Sequence, residues 1–273
     1  MSDRRENALL VLPGLLLLTL AFLVPIAQML ALSVSGEAGL TLDHFRRFLG
    51  DSFYLGVLWR TVRLSFLITL VCALIGFPLA YIMAHVGPRL RLWLIVMVIL
   101  PLMTSVVIRT FGWMVLLGRS GLIPQFLRDL GLADRTFAIM HTETAIVIGM
   151  TQVLLPFMTL SILGVVTRID PRLEEAARTM GCSFLQTLRT VVLPLAAPGV
   201  IAGSLLVFTL SASSFVTPNL LGGPRIQVLA ASIYRTVTQT LDWPFAAAQA
   251  VILFVGILLI LAPYARLAGR DDG

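Results

Sequence analysis

The chain has 273 residues, 58% of them hydrophobic and only 12% charged, with a net charge of +6 and a mean hydropathy of +0.95. A soluble domain is roughly 45–50% apolar and about 25% charged, so the composition excludes a soluble enzyme, a disordered tail and a disulfide scaffold and points to a chain solvated by lipid. All 20 basic residues are arginines; without a lysine the chain can carry neither a phosphate-binding P-loop nor a Schiff base. Cys72 and Cys182 stand apart and read as small apolar residues. His44, His85 and His141 show no metal-ligand spacing, so neither a metal nor a cofactor is expected.

A bilayer span takes about 20 apolar residues. Six stretches nearly free of charge predict spans over about 9–35, 57–85, 92–117, 142–167, 191–217 and 243–266. Arg4 and Arg5 precede the first, but its apolar run is far longer than the core of a signal peptide and contains Pro13 and Pro25; it reads as an uncleaved anchor helix. In the third, Arg109 interrupts the run and nine uncharged residues follow. The helix is expected to continue past Arg109, whose side chain either snorkels to the headgroups or sits at the mouth of a pathway. The fifth uncharged stretch, Thr190–Pro224, is 35 residues long, too long for one straight helix. Pro194 and Pro198 read as first-turn prolines and Pro218 as the exit.

Between the third and fourth spans, Leu122, Phe126, Leu127 and Leu130 fall at helical spacing with Gly131 as a stop. Val228, Ser232, Ile233 and Val237 do the same before the sixth span. Both read as helices at the lipid interface or as a docking surface for an external partner. Cys72, Gly76, Ala80 and Ala84, and again Gly199 and Gly203, repeat at four-residue spacing and imply close helix packing, within or between chains. With an even number of spans both termini lie on one side. That side carries ten arginines (Arg4, Arg5, Arg89, Arg91, Arg168, Arg172, Arg178, Arg189, Arg266 and Arg270) against seven opposite (Arg46, Arg47, Arg119, Arg128, Arg135, Arg225 and Arg235). The excess predicts both termini in the cytoplasm.

The segment 168–190 lies on the arginine-rich side. Asp170 suits an N-cap, Pro171 a first turn, and Glu174 and Glu175 the positive end of a short helix. Gly181 fits the position after a helix that takes positive φ. A second helix is expected from about Ser183, with Phe184, Leu188 and Val191/Val192 on one face. The product is a helix–glycine–helix elbow projecting from the membrane.

Glu175-Ala176-Ala177, three residues, Gly181, nine residues, Val191, one residue and Leu193-Pro194 resemble the EAA loop of ABC importer permeases, with valine in the place of the usual isoleucine. Arg109-Thr-Phe-Gly-Trp113, Leu154-Leu-Pro156-Phe-Met, Gly203-Ser-Leu-Leu-Val-Phe, Phe215-Val-Thr-Pro-Asn219-Leu-Leu-Gly-Gly223 and Asp242-Trp-Pro-Phe245 resemble the spermidine/putrescine type of permease. The resemblance implies an all-α, polytopic protein with six transmembrane helices, of the type I (MetI-like) permease architecture, as a single domain over 1–273 in the bacterial inner membrane. Many relatives carry an acidic residue near the Phe-Val-Thr-Pro stretch; here those places hold Ser213, Ser214 and Asn219.

The resemblance further implies a separate cytoplasmic ATPase dimer, a second, homologous permease chain and a periplasmic or extracellular solute-binding protein, with no nucleic acid. Glu174, Glu175, Ala176, Ala177, Gly181, Leu193 and Pro194 would form the coupling loop, with Glu175 making ion pairs to the ATPase. Candidates for the substrate pathway are Arg109, Trp113, Gln152, Ser211, Ser213, Ser214, Thr217 and Asn219, with Thr104 and Ser105 further polar residues in spans. The expected solute is a polyamine; amino-acid-like compounds, opines and phosphonates are the alternatives. An ion-coupled secondary transporter would call for carboxylates inside the spans, and Glu143 sits only at the edge of the fourth. No triad-like grouping of residues supports an intramembrane enzyme.

Overall fold

The structure is a computed structural model and describes residues 2–36, 39–132 and 138–268, with side chains between Pro13 and Ala262. Arg135 and Arg270, which enter the orientation count, lie outside the described residues, and the side chains of Arg4, Arg5 and Arg266 lie outside the described side chains. Among the described residues, six helical stretches are long and apolar enough to cross a membrane: Pro13–Ser33, Ser52–His85, Val106–Asp129, Glu143–Val166, Phe184–Ser213 and Trp243–Ala262. The chain divides into two compact units, one of Met1–Leu55 with Ile233–Gly256 and one of Gly56–Ser232 with Ile257–Gly273.

The first unit begins with α1 (Ser2–Ser33). Leu15 to Leu18, Leu20 and Leu23 are exposed on every face of it, which suits a helix whose solvent is lipid. Two two-residue strands, β1 (Ser35–Gly36) and β2 (Gly39–Leu40), pair antiparallel. They lead into the amphipathic α2 (Asp43–Gly50), which buries Phe48. The unit also holds the first turn of α3 (Ser52–His85) and the first half of α13 (Trp243–Ala268). Tyr54 stacks on Phe48 and meets Phe245 edge-on, at centroid distances of 5.6 and 5.0 Å. Arg47 bonds Asp242 at 2.8 Å and lies 4.1 Å over the Phe245 ring, so one guanidinium holds both a charge and a ring. Asp242 caps α13 by accepting from the Phe245 amide at 3.1 Å. Gln249, fully buried, donates to Thr236 at 3.0 Å, which is how a polar amide is tolerated inside an apolar helix.

The second unit is built around α7 (Glu143–Val166), the most buried of the long helices. It packs chiefly on α10 (Leu193–Ser213), and also on α11 (Val216–Gly222) and α5 (Val106–Leu117). The small residues make this possible. A Cβ on Gly199 would stand 3.0 Å from the Ser161 carbonyl oxygen and 3.1 Å from Ile162 Cα, and one on Gly203 would press on Met158 and Ser161. Gly76 of α3 likewise faces Met158 and Thr159. Both glycine stripes therefore serve packing within the chain. α3 ends at His85, where Arg91 donates to the carbonyls of Met83 (2.8 Å) and Ala84 and so caps the helix from the next one, α4 (Pro88–Ile99).

Pro198, read as a first-turn proline, lies inside α10, and two expected span boundaries also fail. The third span is not one helix over 92–117. α4 runs into a tight turn, Leu100–Met103, Thr104 and Ser105 are extended, and α5 begins afresh at Val106. Pro101 lacks the amide donor that would continue the α-helical ladder; hydropathy counts apolar residues and is blind to this. Pro218 is not the exit of the fifth span. α10 stops at Ser213, Ser214 is extended, and Pro218 lies in the first turn of α11, where a missing N–H costs no intrahelical bond. The short helix predicted after the third span is α6 (Leu122–Asp129), with Gly131 at φ +70° behind it. α12 (Leu229–Arg235) precedes a π-helical turn, Thr236–Thr240.

Candidate functional site: an elbow and a polar inter-helix cluster

The elbow is assembled from local caps. Asp170 accepts from the Arg172 amide at 3.0 Å and starts α8 (Pro171–Thr179). α8 ends in a Schellman motif: Cys182 N–H donates to Ala177 O (3.1 Å) and Gly181 N–H to Arg178 O (2.9 Å), with Gly181 at φ +89°. Nothing lies within 4 Å of the place a Cβ would take on Gly181, so glycine is required by the backbone angle and not by crowding. Ser183 and Gln186 then form a capping box, with bonds of 2.8 and 3.3 Å, to begin α9 (Phe184–Thr187).

The second arm does not end where a span begins. α9 passes through a π-helical turn, Leu188–Val192, straight into α10, so that Phe184–Ser213 is one helical stretch of 30 residues. The predicted boundary between a loop at 168–190 and a span from 191 is absent. The wider turn just before Pro194 gives its ring space that a regular turn would deny. Leu193 and Pro194 are exposed at this junction.

The two glutamates of the motif face opposite ways. Glu174 is only 7% exposed. Tyr81 Oη donates to its Oε2 at 2.8 Å, His85 Nε2 lies 3.1 Å from its Oε1, and Arg178 Nη2 is 3.9 Å away one turn on. Glu175 and Ala176 are exposed, Ala177 is buried, and the Glu175 carboxylate makes no hydrogen bond or ion pair among the described residues. Sequence reasoning missed Tyr81 and His85. The signal was there in weak form, two polar rings spaced four apart in the last turn of a span.

The polar cluster lies where α5, α7 and α11 meet. Trp113 Nε1 donates to Gln152 Oε1 at 3.3 Å, and Thr217 Oγ1 lies 3.1 Å from Thr110 Oγ1 in a buried hydroxyl pair. α11 seats on α7 because Gly149 and Gly222 leave room for Leu221 and Ile146. His141 N–H donates to Leu221 O at 2.9 Å beside the turn at Gly223, φ +65°. Thr110 is a member that sequence reasoning missed. The other candidates lie on α10, on α11 and at the break before α5. Ser211 is buried on α10, Ser213 donates to Thr209 of its own helix at 2.9 Å, Ser214 ends that helix, and Asn219 is half-buried on α11. Thr104 donates to Pro101 O at 2.7 Å, and Ser105 is exposed.

Arg109 neither snorkels freely nor stands open. Its Nη1 donates to the Pro101 carbonyl, which also accepts from the Thr104 hydroxyl, and its Nε is buried without a partner among the described residues. Glu143, at the start of α7, is held by Arg60 at 3.4 Å and by Arg63. Thr110, Trp113, Gln152 and Thr217 are themselves uncharged.

A family model described as the inner membrane component of binding-protein-dependent transport systems matches residues 76–270. The spermidine/putrescine transport system permease protein PotB of Haemophilus influenzae is 35% identical over 227 residues, 83% of this chain and 79% of its own length. The inner membrane ABC transporter permease protein YdcU of Escherichia coli K12 is 31% identical over 252 residues, 88% of this chain and 79% of its own. Among solved structures, a chain of a bacterial alginate ABC transporter in complex with a pentasaccharide-bound periplasmic protein matches with a TM-score of 0.82 over 99% of this chain and 97% of that one, at 21% identity; this bears on the fold. The chain therefore belongs to the family of binding-protein-dependent transport system inner membrane components: it is a multi-pass inner-membrane permease component of an ABC importer, and not itself an enzyme.

Proposed function

We propose that this permease conducts spermidine, putrescine or a related organic amine, handed over by an external solute-binding protein. A second, homologous permease chain faces it across the pathway, and a cytoplasmic ATPase dimer seats on the elbow. The carrying observation is the pair of glutamates in α8: one carboxylate is locked inward, while Glu175 is left outward on a helix held rigid by caps at both ends. Such a helix is a stiff peg, and closure of an ATPase dimer around it would swing the attached spans between inward-open and outward-open states. The arginine excess on the elbow's side supports a cytoplasmic elbow and cytoplasmic termini. The amine class rests on the PotB relatives. The Trp113–Gln152–Thr110–Thr217 cluster offers a ring face and neutral oxygens to an ammonium group, so the counter-charge falls to the second permease chain.

A second reading, an amino-acid-like, opine or phosphonate solute, is favoured by that same neutrality and by Arg109 nearby on α5. The test is uptake into vesicles holding the whole complex, with ATP inside the ATPase compartment and with the membrane potential and pH gradient collapsed. Binding-protein-dependent uptake of labelled putrescine or spermidine is expected. Uptake that survives only with an ion gradient sinks the ATP-driven reading, and ATP-driven uptake of a zwitterion or anion in place of the amine selects the second solute class.

A further inference from the structure

The elbow hangs from α7 at one end and runs into α10 at the other, and it is also gripped from a third helix. Tyr81 and His85, in the last turn of α3, bind the buried Glu174 carboxylate of the first arm at 2.8 and 3.1 Å. The Tyr81 ring also meets Phe184, at the start of the second arm, edge-on at 6.0 Å. Further along, Ala73, Leu74 and Phe77 of α3 and Leu185, Leu188 and Leu193 of the second arm line an open groove of about 310 Å³. The polar grip at Tyr81 thus joins both arms to α3 beside that groove.

A buried carboxylate must keep its partners, because an uncompensated charge in a low-dielectric site is costly. Directional bonds with that penalty for breaking hold position better than an apolar contact, which slides. The turn beside the grip can yield, since π-helical turns are sites of adjustment within helices.

We propose that Tyr81 and His85 act on Glu174 as a clasp that carries motion of the elbow into α3, so that three helices, and not only the two covalently joined to the elbow, move with it. The clasp residues are positioning residues. The proposal rests on the reading of the elbow as the ATPase seat.

The experiment uses the complete complex, with spin labels at the exposed positions Ile82 on α3 and Thr179 on α8 and Cys182→Ser in the background. In the wild type the label-to-label distance is the same with and without ATP. In Tyr81→Phe and in Glu174→Gln it changes on adding ATP, and solute moved per ATP hydrolysed falls severalfold while the ATPase still co-purifies. His85→Gln, which keeps a donor within reach of the carboxylate, preserves the wild-type distance, whereas His85→Leu does not. Tyr81→Phe removes one hydroxyl and keeps the ring, so it retains the fold if Glu174→Gln does not. An unchanged distance and unchanged coupling ratio in Tyr81→Phe and His85→Leu, with the ATPase bound, overturn the clasp alone. A crosslinker at Thr179 that never captures the ATPase overturns the docking reading beneath it.

Discussion

The elbow and the polar inter-helix cluster solve opposite problems. In the elbow the polar groups are backbone amides and carbonyls at helix ends, and each cap lies within a few residues of what it caps: Asp170 for Arg172, Ala177 for Cys182, Ser183 for Gln186. In the cluster the polar groups are side chains on helices whose backbones are already satisfied, and partners come from afar: Trp113 with Gln152, Thr110 with Thr217. The first design yields a stiff shape that needs little support. The second yields a surface whose composition can change without loss of the fold, because each contact is one weak bond between otherwise apolar helices.

That contrast can be broken at its frame first. Gly199→Leu places a side chain against the Ser161 carbonyl and Ile162 Cα, backbone atoms that cannot swing away. Overpacking of this kind costs roughly 1–3 kcal/mol or more. The melting temperature in detergent should drop by several degrees and recovery of folded protein should fall; an unchanged melt would show that α7 and α10 are not a rigid pair.

Gly181→Val comes next. The Schellman turn holds φ at +89°, where a β-branched residue is strained by about 1–3 kcal/mol. The spans should melt normally while uptake and ATPase recovery fall tenfold or more. Gly181→Asn should keep much of both, since asparagine tolerates left-handed backbone. Equal behaviour of valine and asparagine would mean that the backbone angle is not what matters.

Glu175→Ala should weaken ATPase capture by about tenfold, or ~1.4 kcal/mol, with the elbow's own shape intact, because the carboxylate has no partner within the described chain. Quantitative pull-down of the ATPase against permease concentration measures it. Full capture and full uptake in this variant would remove Glu175 from the interface.

The smallest effects belong to the cluster. Gln152→Leu and Thr217→Val each delete one hydrogen bond between apolar helices, worth roughly 0.6–1.7 kcal/mol. KM for uptake should move by a few fold, with ATPase capture and hydrolysis unchanged. A variant that loses the ATPase instead would show that the two regions are not separable as described.

How much of this was legible in the residues depends on the distance over which each feature is decided. Elbow signals are local in sequence: Pro171 after Asp170, Gly181 after an alanine-rich turn, Ser183 three before Gln186. Spans are legible because burial in lipid depends on composition over about 20 residues. The same averaging hid the break at Pro101 and the separate helix at Pro218, where one missing N–H outweighs the apolar run around it. Arg109 was open between headgroup and pathway; the structure gives it to the Pro101 carbonyl at that break.

Sequence alone determined which segments are greasy, where the capped elbow lies and which glutamates it carries, since transfer to lipid and helix capping are settled within a turn or a single span. Only the tertiary structure decided that Glu174 turns inward to Tyr81 and His85 while Glu175 stays out, and that Thr110 and Trp113 find Thr217 and Gln152. Those pairings link residues 39 to 107 positions apart, and no local pattern can specify which faces of six similarly apolar helices will meet.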